Sequence, residues 1–157
     1  MEDYQKRSRD FMIAGNQTVR DRPSEITDDE KVLRVRLILE EAMEFAEACG
    51  VNVVFFNQKT DQYVDASDKN FEVLNTQRKK FNIVEYADAI GDLTYVVGGA
   101  ANCAGIDMEP IDKEIQRSNM DKFRNGVVRD GFGKVVKPDG WTAPDIKSEI
   151  DKQLNGR

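Results

Sequence analysis

The sequence predicts a mainly α-helical domain, and three observations carry that reading. Apolar residues recur at helical spacing in four long segments. Start and stop signals bracket those segments, among them "TDDE" at Thr27–Glu30 before one of them and Gly50 after it. Strand-like composition is confined to short pieces between about 51 and 76 and in a turn-rich tail. The expected architecture is all-α: a helical bundle with an insertion between its two acidic helices and a turn-rich C-terminal arm, in a single domain spanning 1–157.

In chain order, a first helix is expected from about Glu2 to Ala14, with Tyr4, Ser8 and Phe11 on one face, followed by the loop "GNQTVRDRPSE". Thr27 caps the second helix and Glu30 closes the capping box, with the helix ending near Cys49. "VNVVFF" and "DQYVD" have strand-like composition around polar "NQKT", and the segment fits an irregular insertion equally well. Its spacing from Asp61 to Glu72 faintly suggests a calcium loop, but Tyr63 replaces an oxygen ligand and Ala66 stands where Gly is needed. A third helix runs from about Ile83 to Ala104 behind Asn82, and its Gly91, Gly98, Gly99, Ala100 and Ala101 admit close approach by another helix. A fourth runs from about Met108 to Phe123. Asp130-Gly131 and Pro138-Asp139-Gly140 then punctuate the arm, and "TAPD" at Thr142 opens a last helix ending near Leu154.

Composition excludes several chemistries. The 157 residues contain no histidine, which removes Ser-His-Asp and Cys-His machinery and an imidazole base. Acid–base work falls to carboxylates, Lys, Tyr, Cys or metal-bound water. A net charge of −6 argues against broad nucleic-acid binding. No apolar run reaches the roughly 18–20 residues of a membrane span, and "MEDYQKRSRDFM" lacks a signal peptide's apolar stretch, so a cytoplasmic protein is expected. Cys49 and Cys103 read as buried free thiols.

The candidate site lies in "LRVRLILEEAMEFAEACG". At about 100° per residue, Glu40, Glu41, Glu44 and Glu47 share roughly a third of the helix circumference. Leu33 and Leu37 continue that stripe, while Val32, Val35, Leu39, Met43 and Ala46 form a separate apolar sector. Four residues beyond Glu40, Glu41 and Glu44 stand Glu44, Phe45 and Ala48, so no cation answers at that spacing. On the third helix Glu85, Asp88 and Asp92 fall within about 60°, again with no cation four residues on. Two such faces resolve their repulsion by meeting around divalent cations, and hard oxygen donors select Mg²⁺ or Mn²⁺. The plain alternatives are solvated charge for Glu47 and a capping-box role with Asn82 for Glu85.

"EEAME" at Glu40–Glu44 with "EYADAIGD" at Glu85–Asp92 resembles the all-α nucleoside triphosphate pyrophosphohydrolase superfamily, which includes MazG-like proteins, helical dUTPases and phosphoribosyl-ATP pyrophosphohydrolase. "FMIAGNQTVRDRP", "GDLTYVVGGAANCAGID", "EIQRSNMDKF" and "RDGFGKVVKPDGW" extend the likeness over most of the chain outside about 51–80. The resemblance implies a MazG-like bundle in which Glu41, Glu44 and Asp92 bind Mg²⁺, with Glu40 a further ligand or the water-activating base. The motif's acidic residue three before Asp92 is Ala89 here. Asp88, one position earlier, is the favoured partner of Asp92, and Glu85 is the alternate.

The implied reaction is Mg²⁺-dependent hydrolysis of a nucleoside triphosphate, such as dUTP or an aberrant nucleotide, to monophosphate and pyrophosphate. Phosphoribosyl-ATP is the alternative substrate, and an inactive metal- or nucleotide-binding helical module the alternative role. Asn119 and Lys122 share a helical face with Ile111 and Ile115 and are read as pointing inward. Lys122 is the best phosphate cation, with Arg129 and Lys134 reaching in from the arm or standing solvated at its turn. Gln17, with Asn16, is a candidate base reader, and Trp141 either stacks on the base or anchors the arm. The small-residue helix and the superfamily both imply a homodimer or higher oligomer.

Overall fold

A computed structural model describes residues 4–55, 71–75, 81–131 and 133–156. Its elements are α1 (Tyr4–Ala14), α2 (Asp28–Ala48), β1 (Val51–Phe55), β2 (Phe71–Asn75), α3 (Ile83–Ala104), α4 (Met108–Asp121) and α5 (Ile146–Asn155). The fold is all-α, with a small antiparallel sheet inserted between the two acidic helices. β1 pairs with β2 in a register that sets Val51 opposite Asn75 and Phe55 opposite Phe71. β1 falls on the strand-like "VNVVF", whereas its partner is "FEVLN". The expected strand piece "DQYVD" lies outside the described residues. No helix among the described residues is long and apolar enough to cross a membrane.

The chain divides into two compact units. One comprises Met1–Asp10 and Thr27–Ala100, the other Phe11–Ile26 and Ala101–Arg157.

In the first unit α2 opens with the capping box that "TDDE" encodes: Thr27 Oγ1 accepts from Glu30 N, and Glu30 returns a carboxylate to Thr27 N. The small residues of α3 admit α1. Ser8 is 1% exposed, and a Cβ placed on Gly98 would stand 2.7 Å from Ser8 Oγ and 3.2 Å from the Tyr4 ring. The close approach read from the glycines is thus made by a helix of the same chain. α2 and α3 meet through Phe45 and Tyr86, whose ring centroids are 5.2 Å apart, and Phe81 packs on Tyr86 at 5.3 Å.

In the second unit, buried backbone ends are satisfied one by one. α3 finishes in a Schellman motif: Ile106 N donates to Ala101 O and Gly105 N to Asn102 O, with Gly105 at φ +71°. The loop after α1 supplies the remaining partners. Arg20 N donates to Asn102 O and Ser24 N to Ala104 O. The Arg20 guanidinium donates to Cys103 O, placing positive charge at the negative end of the helix dipole. Asn16, at φ +54°, ends α1 in the same left-handed way, with Gln17 N bonded to Met12 O.

The arm is strapped across α4. Trp141 Nε1 donates to Ser118 O at 2.8 Å, and Ser118 Oγ donates to Thr142 O at 2.9 Å. Arg117 reaches Thr142 Oγ1 and Ala143 O. α5 is capped by Asp145, whose side chain accepts from Ser148 N, and not by Thr142. Thr142 is held by α4 instead, through Asp121 Oδ2 as well as Arg117. α4 and α5 are tied at both ends. Gln153 gives and takes one bond with the Asp107 backbone, and Glu114 Oε1 accepts from Asp145 N at 2.8 Å. Cys103 is fully buried and Cys49 half-buried, both free.

Three outcomes test these assignments. Gly105→Ala places a Cβ 2.1 Å from Arg22 O in a left-handed backbone, so a loss of more than about 2 kcal/mol is expected in urea unfolding. Gly91→Ala, which meets nothing within 4 Å, should be neutral or stabilise by up to about 1 kcal/mol. Glu114 is held down to about 2 by hydrogen bonds from Arg117 and from the Asp145 backbone. A depressed pKa contributes stability above the ordinary value of 4.5 that is lost as pH falls toward 2. Glu114→Gln should therefore melt below the wild type at pH 7 and converge with it near pH 2.

Candidate active site

Glu41 is the centre of the site, because the second helical turn before Ala48 turns it toward α3. The two helices run antiparallel: going back along α2 from Phe45 to Glu41 moves forward along α3 from Tyr86 to Asp88 and Asp92. Glu41 is half-buried, and its Oε2 is sealed from solvent without a hydrogen-bond partner. Burial pushes its pKa above the ordinary carboxylate value, and the charges of Glu44, Asp92, Glu40 and Asp88 push it further. An unsatisfied buried carboxylate oxygen amid four more carboxylates is an arrangement that folding alone does not favour.

The other carboxylates divide around it. Glu44, Asp88 and Asp92 are exposed and contribute charge from both helices. Glu40 accepts from Arg36 Nε at 2.8 Å on the outer edge of α2, with nearly half of its side-chain surface exposed. The repulsion at Glu40 is thus answered from four residues earlier, the weaker of the two orders of an i,i+4 ion pair. Glu85 sits at the start of α3, where Asn82 Nδ2 donates to its Oε1 at 3.2 Å while Asn82 Oδ1 caps Val84 N. Its charge is not among those acting on Glu41. Ala89 is 6% exposed, so the motif position three before Asp92 lies in the packed side of α3 while Asp88 and Asp92 reach the surface. Glu47 is exposed at the end of α2.

Among the described residues no three carboxylates converge closely enough to grip one ion as their side chains stand. The donor set nevertheless suits a hard divalent cation. It is all oxygen, it draws on two facing helices, and its innermost member has an unoccupied buried lone pair. Chelation would need the exposed Glu44, Asp88 and Asp92 to turn inward by rotamer changes.

The candidate substrate residues all belong to the second unit. Asn119 is exposed, a correction to its inward reading, because Ile115 beside it is also open at 37% and only Ile111 of that face is buried. Lys122 is half-buried, donates to Asn119 Oδ1 at 2.8 Å and lies 5.8 Å from the Trp141 ring centre. Lys137, which the pattern of the arm did not single out, stands closer, 4.2 Å over that ring. With its indole N–H on Ser118 and a lysine over its face, Trp141 anchors the arm. Arg129 is exposed and donates to Gly133 O across the turn, and exposed Lys134 gives its backbone N–H to Asp130. Gln17 is exposed just after α1.

A model of the phosphoribosyl-ATP pyrophosphohydrolase family matches residues 9–119, which takes in both acidic helices. No curated protein matches the chain.

The electrostatics of Glu41 are testable without substrate. A carboxyl whose pKa is raised on folding costs stability above that raised value and nothing below the ordinary 4.5. In metal-free buffer at pH 7, Glu41→Gln should melt above the wild type. The gap should close as pH falls to 4.5.

Proposed function

The chain belongs to the phosphoribosyl-ATP pyrophosphohydrolase family, a family whose activity is pyrophosphohydrolysis of a nucleotide, and on that footing we propose that it cleaves nucleoside triphosphates to monophosphate and pyrophosphate. The observation that carries the reading is Glu41: a buried, unpartnered carboxylate oxygen held among four other carboxylates on two facing helices. Glu41, Glu44, Asp88 and Asp92 are the residues that would hold Mg²⁺, or Mn²⁺ in its place. The cation supplies charge neutralisation for a triphosphate that these carboxylates would otherwise repel.

Within this reading the chain's own groups have distinct tasks. Glu41 takes the proton of the attacking water. The water oxygen bonds to the α-phosphorus, the bond from that phosphorus to the α–β bridging oxygen breaks, and pyrophosphate leaves with the electron pair. Glu40, held outward by Arg36, raises the local negative potential and is assigned no proton.

A deoxynucleotide such as dUTP, or an aberrant nucleotide, is the substrate class this reading favours. The arm beyond residue 119 lies outside the stretch that the family model matches, and the β1–β2 segment stands between the two acidic helices. The family's description favours phosphoribosyl-ATP itself as the second reading.

Pyrophosphate release from a panel of (d)NTPs and phosphoribosyl-ATP, with Mg²⁺ and with chelator, decides between them. Turnover of at least one (d)NTP that chelator abolishes is expected. Glu41→Ala should lower it by about 100-fold or more, the scale on which removing a charge-handling group acts. Full activity in Glu41→Ala would sink the assignment, and turnover of phosphoribosyl-ATP alone would establish the second reading.

A further inference from the structure

The aromatic contact that joins α2 to α3 continues out to the surface. Phe81, just before the Asn82 cap of α3, is 56% exposed. Its ring centroid stands 5.3 Å from that of half-buried Tyr86, which in turn stands 5.2 Å from Phe45. The outermost of the three rings is therefore held by its neighbour while much of its surface faces water. Val84, 72% exposed, lies one turn before Asp88 on the same side of α3. Single exposed hydrophobes are ordinary on a surface, but these two stand beside the acidic cluster.

We infer that Phe81, backed by Tyr86, is the platform on which the base of the nucleotide stacks. This assignment rests on the Glu41 cluster being the triphosphate site, and it supplies the subsite for the other end of the same substrate. Spacing supports it. Phe45 is one turn past Glu41 on α2, about 6 Å along the axis, and Tyr86 is two residues before Asp88 on α3, about 3 Å. Rings and carboxylates are thus neighbours along both helices, as base and α-phosphate are neighbours across one pentose in a nucleotide. The chemistry agrees. Every base presents a flat π-face to an aromatic side chain, and stacking needs no hydrogen bond from the protein. An exposed ring beside a carboxylate cluster matches a ligand that is flat and aromatic at one end and polyanionic, bridged by a divalent cation, at the other.

Other apolar groups suit the role less well. Trp141, the ring that the sequence offered for stacking, has its indole N–H committed to Ser118 O and Lys137 standing 4.2 Å over its face. The exposed side chains on the outer side of α2, Val32, Val35, Leu39 and Met43, present no ring at all.

The experiment is calorimetry on the full chain with Mg²⁺, with circular dichroism as the folding control. One probe is α,β-imido-dUTP, which resists hydrolysis at that bond, and the other is inorganic tripolyphosphate, which has the phosphates without a base. Phe81→Ala should weaken binding of the nucleotide analogue by about 5-fold or more, the scale on which removing the aromatic partner of a base acts, and leave tripolyphosphate unchanged. Phe81→Trp should keep the affinity for the analogue. Its emission should change on adding the analogue and not on adding tripolyphosphate, against a wild type whose one tryptophan is Trp141. Unchanged analogue affinity in Phe81→Ala, or an equal loss for both probes, overturns the platform, and pyrophosphate release by the wild type then leaves the hydrolase reading standing. Emission of Phe81→Trp that answers to both probes, or to neither, overturns it as well. A wild type that binds neither probe and cleaves no nucleotide overturns both.

Discussion

The contact on which the first unit depends is the one between α2 and α3, where an aromatic clasp holds two acidic helices at a distance their charges oppose. Phe45 against Tyr86, backed by Phe81, fixes the helices, and the register that follows puts Glu41 opposite Asp88 and Asp92. The helices are held by apolar packing, so the repulsion is not relieved by letting them part. It appears as a buried carboxylate oxygen without a partner and as a raised pKa. Stability sacrificed locally in this way marks sites that work on something other than folding.

The second unit solves a different problem, the accounting of helix ends. α3 terminates inside the protein, and each exposed carbonyl at its end is met by a donor from the loop after α1 or by the Schellman turn. α4 and α5 are joined by the Asp107–Gln153 pair and by Glu114, which serves Arg117 and the Asp145 backbone at once. Trp141 fastens the arm by one directed hydrogen bond and a half-buried ring. Among the described residues of the unit, Met12, Cys103 and Ser118 are the largest fully buried side chains, and directed polar contacts join its elements.

That economy bears on the surface. Small residues such as Ala46, Ala48, Ala89 and Ala101 take interior positions that let helices approach, and long aliphatic side chains are left outside on α2 and α3.

Much of this was determined by the sequence alone. The helices, the Thr27–Glu30 capping box and the carboxylate stripes follow from periodicity and cap chemistry, which act over a few residues and are legible in one dimension. The family is equally legible from "EEAME" and "EYADAIGD" in order. Only tertiary structure decided the rest, because it depends on residues far apart in the chain. Helical spacing showed two apolar sectors on α2 without saying which was interior, and the clasp at Tyr86 placed Val32, Val35, Leu39 and Met43 outside. It singled out Glu41 from a run of four similar glutamates by turning its carboxylate inward, while Arg36 drew Glu40 outward. Asn119 left the interior because Ile115 did, and Asp145 displaced Thr142 as the cap of α5 because α4 had already claimed the threonine. In each case local chemistry supplied the candidates, and competition for partners across the fold chose among them.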